Sequence, residues 1–260
     1  MRASETRREA ILDMATELGL ASVDDLARRF GVTASTIRRD LAVLSASGRL
    51  ARTYGGAIST SHLPETSLLQ RRNEALDAKR AIAAHCAKLV GDADSAFLDA
   101  GSTIAMVARE LATSAVEADV TTSSLPVLTH LQSSECLRVQ CIGGRLRPLS
   151  GGFVGPLAEM SVSRMTFDIA FVSADGVSAR YGLCEADLEQ TRFKELVAAR
   201  SRAVYVLAHA AKLNHEPFDA WTHLGAQWTL VTDTDADPGV IDQFRAAGVD
   251  VVLAADNGTR

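Results

Sequence analysis

Between Val32 and Leu44 the chain reads Val-Thr-Ala-Ser-Thr-Ile-Arg-Arg-Asp-Leu-Ala-Val-Leu. Thr33 can cap a helix whose apolar side is Ile37, Leu41 and Leu44, which leaves Ser35, Thr36, Arg38 and Arg39 facing outward. Hydroxyl groups reach phosphates or base edges, and guanidinium groups pair with phosphate or fork onto guanine. The outer face therefore has the chemistry of a helix laid in a DNA major groove. An ordinary solvated helix face carries the same residue types, so these positions need their context.

A second set of residues suits a small anion. Asp99-Ala100-Gly101-Ser102-Thr103 joins a strand to a helix: Gly101 admits close backbone approach, Ser102 and Thr103 donate hydroxyls, and the helix start offers free N–H groups. Thr122, Ser123 and Ser124 end the next strand before Pro126, and Gly143-Gly144 ends the third, with Arg145 and Arg147 close behind. Convergence on one anion pocket is expected, although helix caps alone account for each loop separately. Asp175-Gly176 and Lys212 follow later strands. Asp175 can accept from sugar hydroxyls or simply form a turn, and Lys212 can bring a charge to a phosphate or lie on the surface.

The elements that must position these residues fall into two parts. A helix is expected from about residue 6 to 18, with Ile11, Leu12, Ala15 and Leu18 as its apolar stripe. Ser22 caps a second helix with Leu26, Ala27 and Phe30 inward, and Gly31 breaks it before the helix that carries the arginine pair. This is a helix-turn-helix pattern. Arg49-Leu50-Ala51-Arg52-Thr53-Tyr54 then alternates up to Gly55-Gly56 and suits a small β-wing whose Arg49, Arg52 and Tyr54 reach the DNA backbone or minor groove. Residues 59–75 read as a linker between a DNA-binding domain, 1–58, and a second domain, 76–260.

In the second domain a helical pattern over Leu68–Val90 places Arg71, Arg72, Lys79 and Arg80 outward as solvated charges. Strands are then expected at Ala96–Asp99, Val120–Thr122, Arg138–Ile142, Ile169–Ser173, Ala203–Ala208, Trp228–Val231 and Val249–Leu253, alternating with helices. That order predicts an α/β domain with a largely parallel sheet covered on both faces and its ligand at the carboxyl ends of the strands.

The ordered matches Phe30-Gly31-Val32-Thr33, Thr36-Ile-Arg-Arg-Asp-Leu41 and Tyr54-Gly-Gly-Ala57 resemble the DNA-binding domain of DeoR-type bacterial transcriptional regulators. Phe97-Leu-Asp-Ala-Gly-Ser-Thr103, Val120-Thr-Thr-Ser-Ser-Leu-Pro126, Gly143-Gly144, Asp175-Gly176, Lys194 and Lys212 resemble the effector domain of the same regulators. The resemblance implies an N-terminal winged helix-turn-helix and a C-terminal α/β domain related to ribose-5-phosphate isomerase and coenzyme A transferases. It also implies operator DNA and a phosphorylated sugar or related metabolite as partners. Where the family usually has Asp-Ser-Ser before Lys212, this chain has His209-Ala210-Ala211.

The expected function is thus a cytoplasmic, oligomeric repressor of a carbohydrate operon, without cofactor and not an enzyme. The alternative is a sugar-phosphate isomerase, since Gly101-Ser102-Thr103 and Asp175-Gly176 also resemble loops of ribose-5-phosphate isomerase. Against it, Phe193 stands where that enzyme has a Glu before its Lys. A ligand-free architectural DNA-binding protein does not need a second domain of this size.

Charge distribution agrees with DNA contact at one end. The net charge is −5, yet residues 1–60 hold nine Arg and seven acids, and the window Arg28–Gly56 holds six Arg against Asp40 alone. Cys86, Cys136, Cys141 and Cys184 have neither paired spacing nor disulfide density, and with six scattered His they suggest reduced thiols and no metal site. No apolar leader or membrane-length run is present in this sequence.

Overall fold

The computed structural model describes residues 4, 6–11, 20–46, 51–53, 56–58, 65, 68–225 and 227–255. The chain divides into two compact units, Met1–Thr66 and Ser67–Arg260.

In the first unit, residues 6–11 form helix α1, followed by β1 (Leu20–Ser22), α2 (Val23–Phe30) and α3 (Ala34–Ala46). Strands β2 (Ala51–Thr53) and β3 (Gly56–Ile58) complete a three-stranded antiparallel sheet in the order β1-β3-β2. Ile11, Leu26, Ile37, Leu41 and Leu44 make its core, with Val23, Ala27, Phe30 and Val32 packed against them. The i, i+4, i+7 stripe of α3 is thus the face that holds the helix to its neighbours. Leu12, Ala15, Leu18, Arg49 and Tyr54 lie outside the described residues, as do the side chains of Ser22 and Arg52.

The second unit begins with α4 (Leu68–Arg71) and α5 (Leu76–Ala87). The single helix expected over Leu68–Val90 is therefore broken, with Ala75 in the left-handed region at φ 47°. Seven strands follow: β4 (Ser95–Leu98), β5 (Ala118–Thr122), β6 (Leu137–Cys141), β9 (Phe167–Val172), β12 (Ser201–Leu207), β14 (Thr229–Asp233) and β15 (Asp250–Ala254). They form one sheet in the order β15-β14-β12-β9-β4-β5-β6, and every neighbouring pair is parallel. All seven coincide with expected strands to within about two residues.

The strands read as near-continuous apolar runs, as fully covered strands must. Alternate side chains enter two cores. Phe97, Ala170, Val172, Val204 and Val206 face one, and Leu98, Ile169, Phe171, Leu207 and Val231 face the other. Helices α6 (Ser102–Ala112) and α7 (Leu125–Leu131) join α5 on the second core, while α9 (Leu188–Ala199) and α10 (Pro238–Ala246) cover the first. Ser124, Asp187 and Asp237 cap α7, α9 and α10 through their side-chain oxygens.

Several short elements have no counterpart among the expected ones: the hairpin β7 (Arg145–Arg147) with β8 (Gly152–Val154), helix α8 (Pro156–Val162), and an antiparallel sheet of β10 (Gly176–Ser178), β11 (Gly182–Glu185) and β13 (Ala220–Thr222). The sheet order makes the chain reverse direction between β4 and β9. At such a switch point the loops diverge and leave a crevice beyond the carboxyl ends of the strands. Among the described residues no helix is long and apolar enough to cross a membrane, and no group of His, Cys, Asp and Glu could hold a metal ion.

Candidate nucleic-acid interface and effector site

On α3, the Thr33 hydroxyl accepts from the Thr36 backbone N–H at 3.3 Å and lies 2.8 Å from Ser35 Oγ and 3.0 Å from Thr36 Oγ1. Cap and candidate contact residues form one hydroxyl cluster at the helix start. Arg38 and Arg39 are exposed and make no ion pair among the described residues. The acid beside them is otherwise engaged: Asp40 is 4% exposed and bound by Arg7 at 2.7 Å and Arg8 at 3.2 Å. It ties α3 to α1 and neutralises none of the outward arginines. Arg52 sits in β2 opposite Ala57, and Ser22 pairs with Gly56 in the same sheet.

In the second unit the switch point is built around three consecutive residues at the end of β9, each holding a cation. The Ser173 carbonyl accepts from Lys194 Nζ, the Ala174 carbonyl from Lys212 Nζ at 2.5 Å, and the Asp175 carboxylate from Arg71. A fourth cation, Lys79, donates to the Arg71 carbonyl at 2.5 Å.

Lys194 is enclosed completely. Its ammonium meets Glu185 and, at 3.2 Å, Asp99, whose other neighbour is the Ser173 backbone N–H at 3.3 Å. Burial lowers the Lys194 pKa, but Asp99 and Glu185 outweigh it and hold the ammonium above its ordinary value. Burial pushes Glu185 above the usual carboxylate range against the pull of Lys194, and Gln190 donates to its second oxygen at 3.0 Å.

Lys79, Lys212 and His209 differ from that arrangement. Neither lysine touches a carboxylate among the described residues; each ammonium donates to one backbone carbonyl although it carries three donors. Burial lowers Lys79, with Glu74 opposing and Arg71 adding to the shift. Burial also brings Lys212 down to about 8, where Asp175 opposes and Arg71 and Lys79 push the same way. Burial, Lys212 and Lys79 together take His209 down to about 4, so its ring is neutral near pH 7. His209 Nδ1 and Asp175 Oδ2 are buried and have no hydrogen-bond partner among the described residues.

The loops expected to make one pocket are only partly brought together. Asp99 and Ser123, with Ser150, Gln190 and Lys194, line a cavity of about 10 Å³, room for about one water molecule. Gly101 stands directly against β9, since a side-chain carbon there would lie 2.2 Å from Ser173 Oγ; Ser102 and buried Thr103 begin α6 behind it. Thr122 gives its hydroxyl to the Leu98 carbonyl at 2.7 Å, and Ser124 caps α7, so both hydroxyls serve the fold. Gly143 and Gly144 link β6 to β7 and do not line the cavity. Arg145 and Arg147 pair with Glu189 and Asp187 at the start of α9. Gly176 lets the chain pass His215, whose carbonyl would sit 1.8 Å from an added side-chain carbon.

Arg71 and Lys79, read from the sequence as outward solvated charges, were not expected at this site. Lys79 in particular is 1% exposed, not outward. The signal was present: Lys79, Ile82, Ala83 and Cys86 share one helical stripe, which puts a lysine on the buried face.

Residues 7–62 match the model of the DeoR-like helix-turn-helix domain, and residues 74–234 match the DeoR C terminal sensor domain. The HTH-type transcriptional regulator GlpR of Haloferax volcanii is 31% identical over 247 residues, covering 95% of this chain and 96% of that protein. A lactose phosphotransferase system repressor of Streptococcus mutans is 29% identical over 90% of this chain and 93% of its own length. A putative aga operon transcriptional repressor of Escherichia coli O157:H7 is 27% identical, with coverage of 96% and 94%. Among solved structures, ribose 5-phosphate isomerase A from Methanocaldococcus jannaschii aligns at 20% identity and TM-score 0.40, over 53% of this chain and 54% of that one. With both domain models matched in order, and a relative above 30% identity along nearly its whole length, the chain belongs to the DeoR family of helix-turn-helix transcriptional regulators.

Proposed function

We propose that this regulator represses a carbohydrate operon and is released from operator DNA by a phosphorylated sugar or related metabolite bound at the carboxyl ends of β4, β9 and β12. The carrying observation is the pair of ammonium groups, Lys79 and Lys212, that lie beside Arg71 and donate only to backbone carbonyls among the described residues. Buried or half-buried ammonium groups with no carboxylate in contact among the described residues are costly, and a phosphate dianion would supply that contact through strong, charge-assisted hydrogen bonds. Asp175 Oδ2 and His209 Nδ1 then serve the hydroxyls of the same ligand. The names of two relatives, a lactose phosphotransferase system repressor and an aga operon repressor, agree with a sugar-linked signal.

The isomerase alternative needs a base free to move a proton between carbons. Glu185 is 2% exposed and held by Lys194 and Gln190, and Glu189 pairs with Arg145, so the site's own chemistry favours binding over turnover.

The test is a gel shift with DNA from upstream of the chain's own gene, titrated with phosphorylated and unphosphorylated sugars. Release by a phosphorylated compound alone is expected, and Lys212→Met should keep DNA retention while needing about 10–100 times more effector, the worth of one charged hydrogen bond. If no phosphorylated sugar changes retention, the effector reading fails.

Effector affinity should also depend on pH in a defined sense. A phosphate monoester is a dianion above about pH 6, and Lys212 is charged below about 8. Binding is therefore expected to be tightest between those limits. Above about 8 it should weaken by up to about tenfold per pH unit, until the higher pKa of Lys212 in the complex is passed. Calorimetric titration from about pH 5.5 to about pH 9.5 checks this; affinity that stays level through the upper limit would remove Lys212 from the contact.

A further inference from the structure

We infer that the outer face of α8 and α9 is where a second copy of this chain docks, whichever effector the chain binds.

The three most exposed large apolar side chains among the described residues are Leu188 at 75%, Leu157 at 63% and Met160 at 58%, and all three lie on these two helices. Single exposed apolar residues are ordinary on a protein surface; three gathered on one face are not. Between Pro156 and Val162, α8 has only Glu159 and Ser161 as polar residues. Ala158 and Val162 point inward to the first core, while Leu157 and Met160, one turn apart, point outward. A helix that merely covers a core turns polar residues to water, whereas one that is apolar on opposite sides is built to be covered on both.

Two contacts hold the start of α9 beside α8. Arg192 reaches Glu159 at 2.9 Å, and a side-chain carbon added at Gly155, the residue before α8, would lie 4.0 Å from Glu189 Oε1. Leu188 and Arg192 are one turn apart on α9, so Leu188 shares the side that meets Glu159 of α8. The apolar side chains are thereby set among charges of both signs. Arg192 pairs with Glu159 and Arg145 with Glu189, and both arginines stay largely exposed.

That rim selects the occupant. Two arginines and two glutamates leave it without net charge, so it offers little to a polyanion or to a strongly basic partner. It suits its own copy: in a two-fold contact the same patch meets itself, and the arginines of one copy can face the glutamates of the other around an apolar centre. The DNA-binding unit supplies the need for pairing. Helix-turn-helix heads read two-fold operators as symmetric pairs, and this chain carries one such head.

Sedimentation of the full chain tests this. Wild type should form a dimer or a larger even assembly at about 10 μM. Leu157→Gln with Leu188→Gln should sediment at half the wild-type mass, with the dissociation constant raised at least about 100-fold. Circular dichroism should be unchanged, because both replaced side chains lie outside the cores. Oxidation of Met160 by dilute peroxide, read by peptide mass, should be at least about threefold slower in wild type than in the double variant. Should that variant lose its circular dichroism, dilution of wild type replaces it, and Met160 should oxidise faster as the assembly dissociates. A double variant that assembles as wild type does would overturn the inference, as would Met160 oxidation that ignores dissociation. So would monomeric wild type: slow Met160 oxidation in it would mean that the DNA-binding unit of the same chain covers the face.

Discussion

Lys194→Met is expected to lower the stability of the sensor domain by about 3–5 kcal/mol, the usual cost of removing one partner from a buried ion pair. For a domain of this size that corresponds to a fall in Tm on the order of 10 °C. The methionine fills the space, so the loss is electrostatic. Asp99 and Glu185, at 3% and 2% exposure, are left as neighbouring buried carboxylates without a cation in contact. The pH dependence separates this cause from a packing defect. Glu185 is already raised by burial and by Asp175 and Asp99, and losing Lys194 raises it further. A carboxyl group whose folded pKa lies above its unfolded value of 4.5 costs stability when ionisation is favoured in the unfolded chain, above that value, and costs nothing below it. Wild-type Glu185 already bears this cost up to its own folded pKa of about 7, so the gap between wild type and variant should widen as the pH rises above about 7, where only the variant goes on losing stability. Adding Glu185→Gln and Asp99→Asn should restore much of the loss, because replacing a whole buried charge set is far less costly than breaking it. Thermal unfolding followed across pH reads all three effects; a gap constant with pH would mean that Lys194 acts through packing alone.

The same residues show what the sequence made legible. All seven parallel strands were readable because each is an apolar run buried on both faces, and the ligand rule for such sheets pointed to the ends of β4 and β9, where the buried cations gather. The cations were harder. Lys79 and Lys194 each lie on the apolar stripe of their helix, beside Ile82, Ala83 and Cys86 or beside Phe193 and Val197, and a charged residue on that stripe normally counts against the helix face it marks. What holds them there is groups outside their own helices: the Arg71 carbonyl for Lys79, and the Ser173 carbonyl with the Asp99 and Glu185 carboxylates for Lys194. The hydroxyl-rich loop Thr122-Ser123-Ser124 gave the opposite difficulty. Its composition suits both phosphate binding and helix capping, and only the Leu98 carbonyl and the α7 amides show where two of its hydroxyls are spent. The break at Ala75 had no local signal at all, since no Gly or Pro stands there.

Replacing Arg38 and Arg39 together by Ala is expected to weaken operator binding by about 100-fold or more, the sum of two charged contacts at ordinary strength. The loss follows from how charge is arranged on α3. Asp40 would otherwise offset one arginine, but Arg7 and Arg8 already bind it, so both outward guanidinium groups present their full charge to a polyanion. Folding should survive, because the stripe that anchors α3, Ile37, Leu41 and Leu44, is untouched. Salt dependence then decides what the arginines do. If both hold phosphates, the slope of log affinity against log salt becomes shallower by about 0.9 for each phosphate no longer neutralised, and sequence preference persists in what binding remains. Under that arrangement the bases are read by Ser35 and Thr36, which the Thr33 hydroxyl orients at 2.8 Å and 3.0 Å. Ser35→Ala with Thr36→Ala should then erase preference for the operator over unrelated DNA while leaving the salt slope unchanged. Preference that disappears with the arginines and survives without the hydroxyls would reverse that division of labour. Retention unchanged in both double variants would remove α3 from the DNA interface altogether.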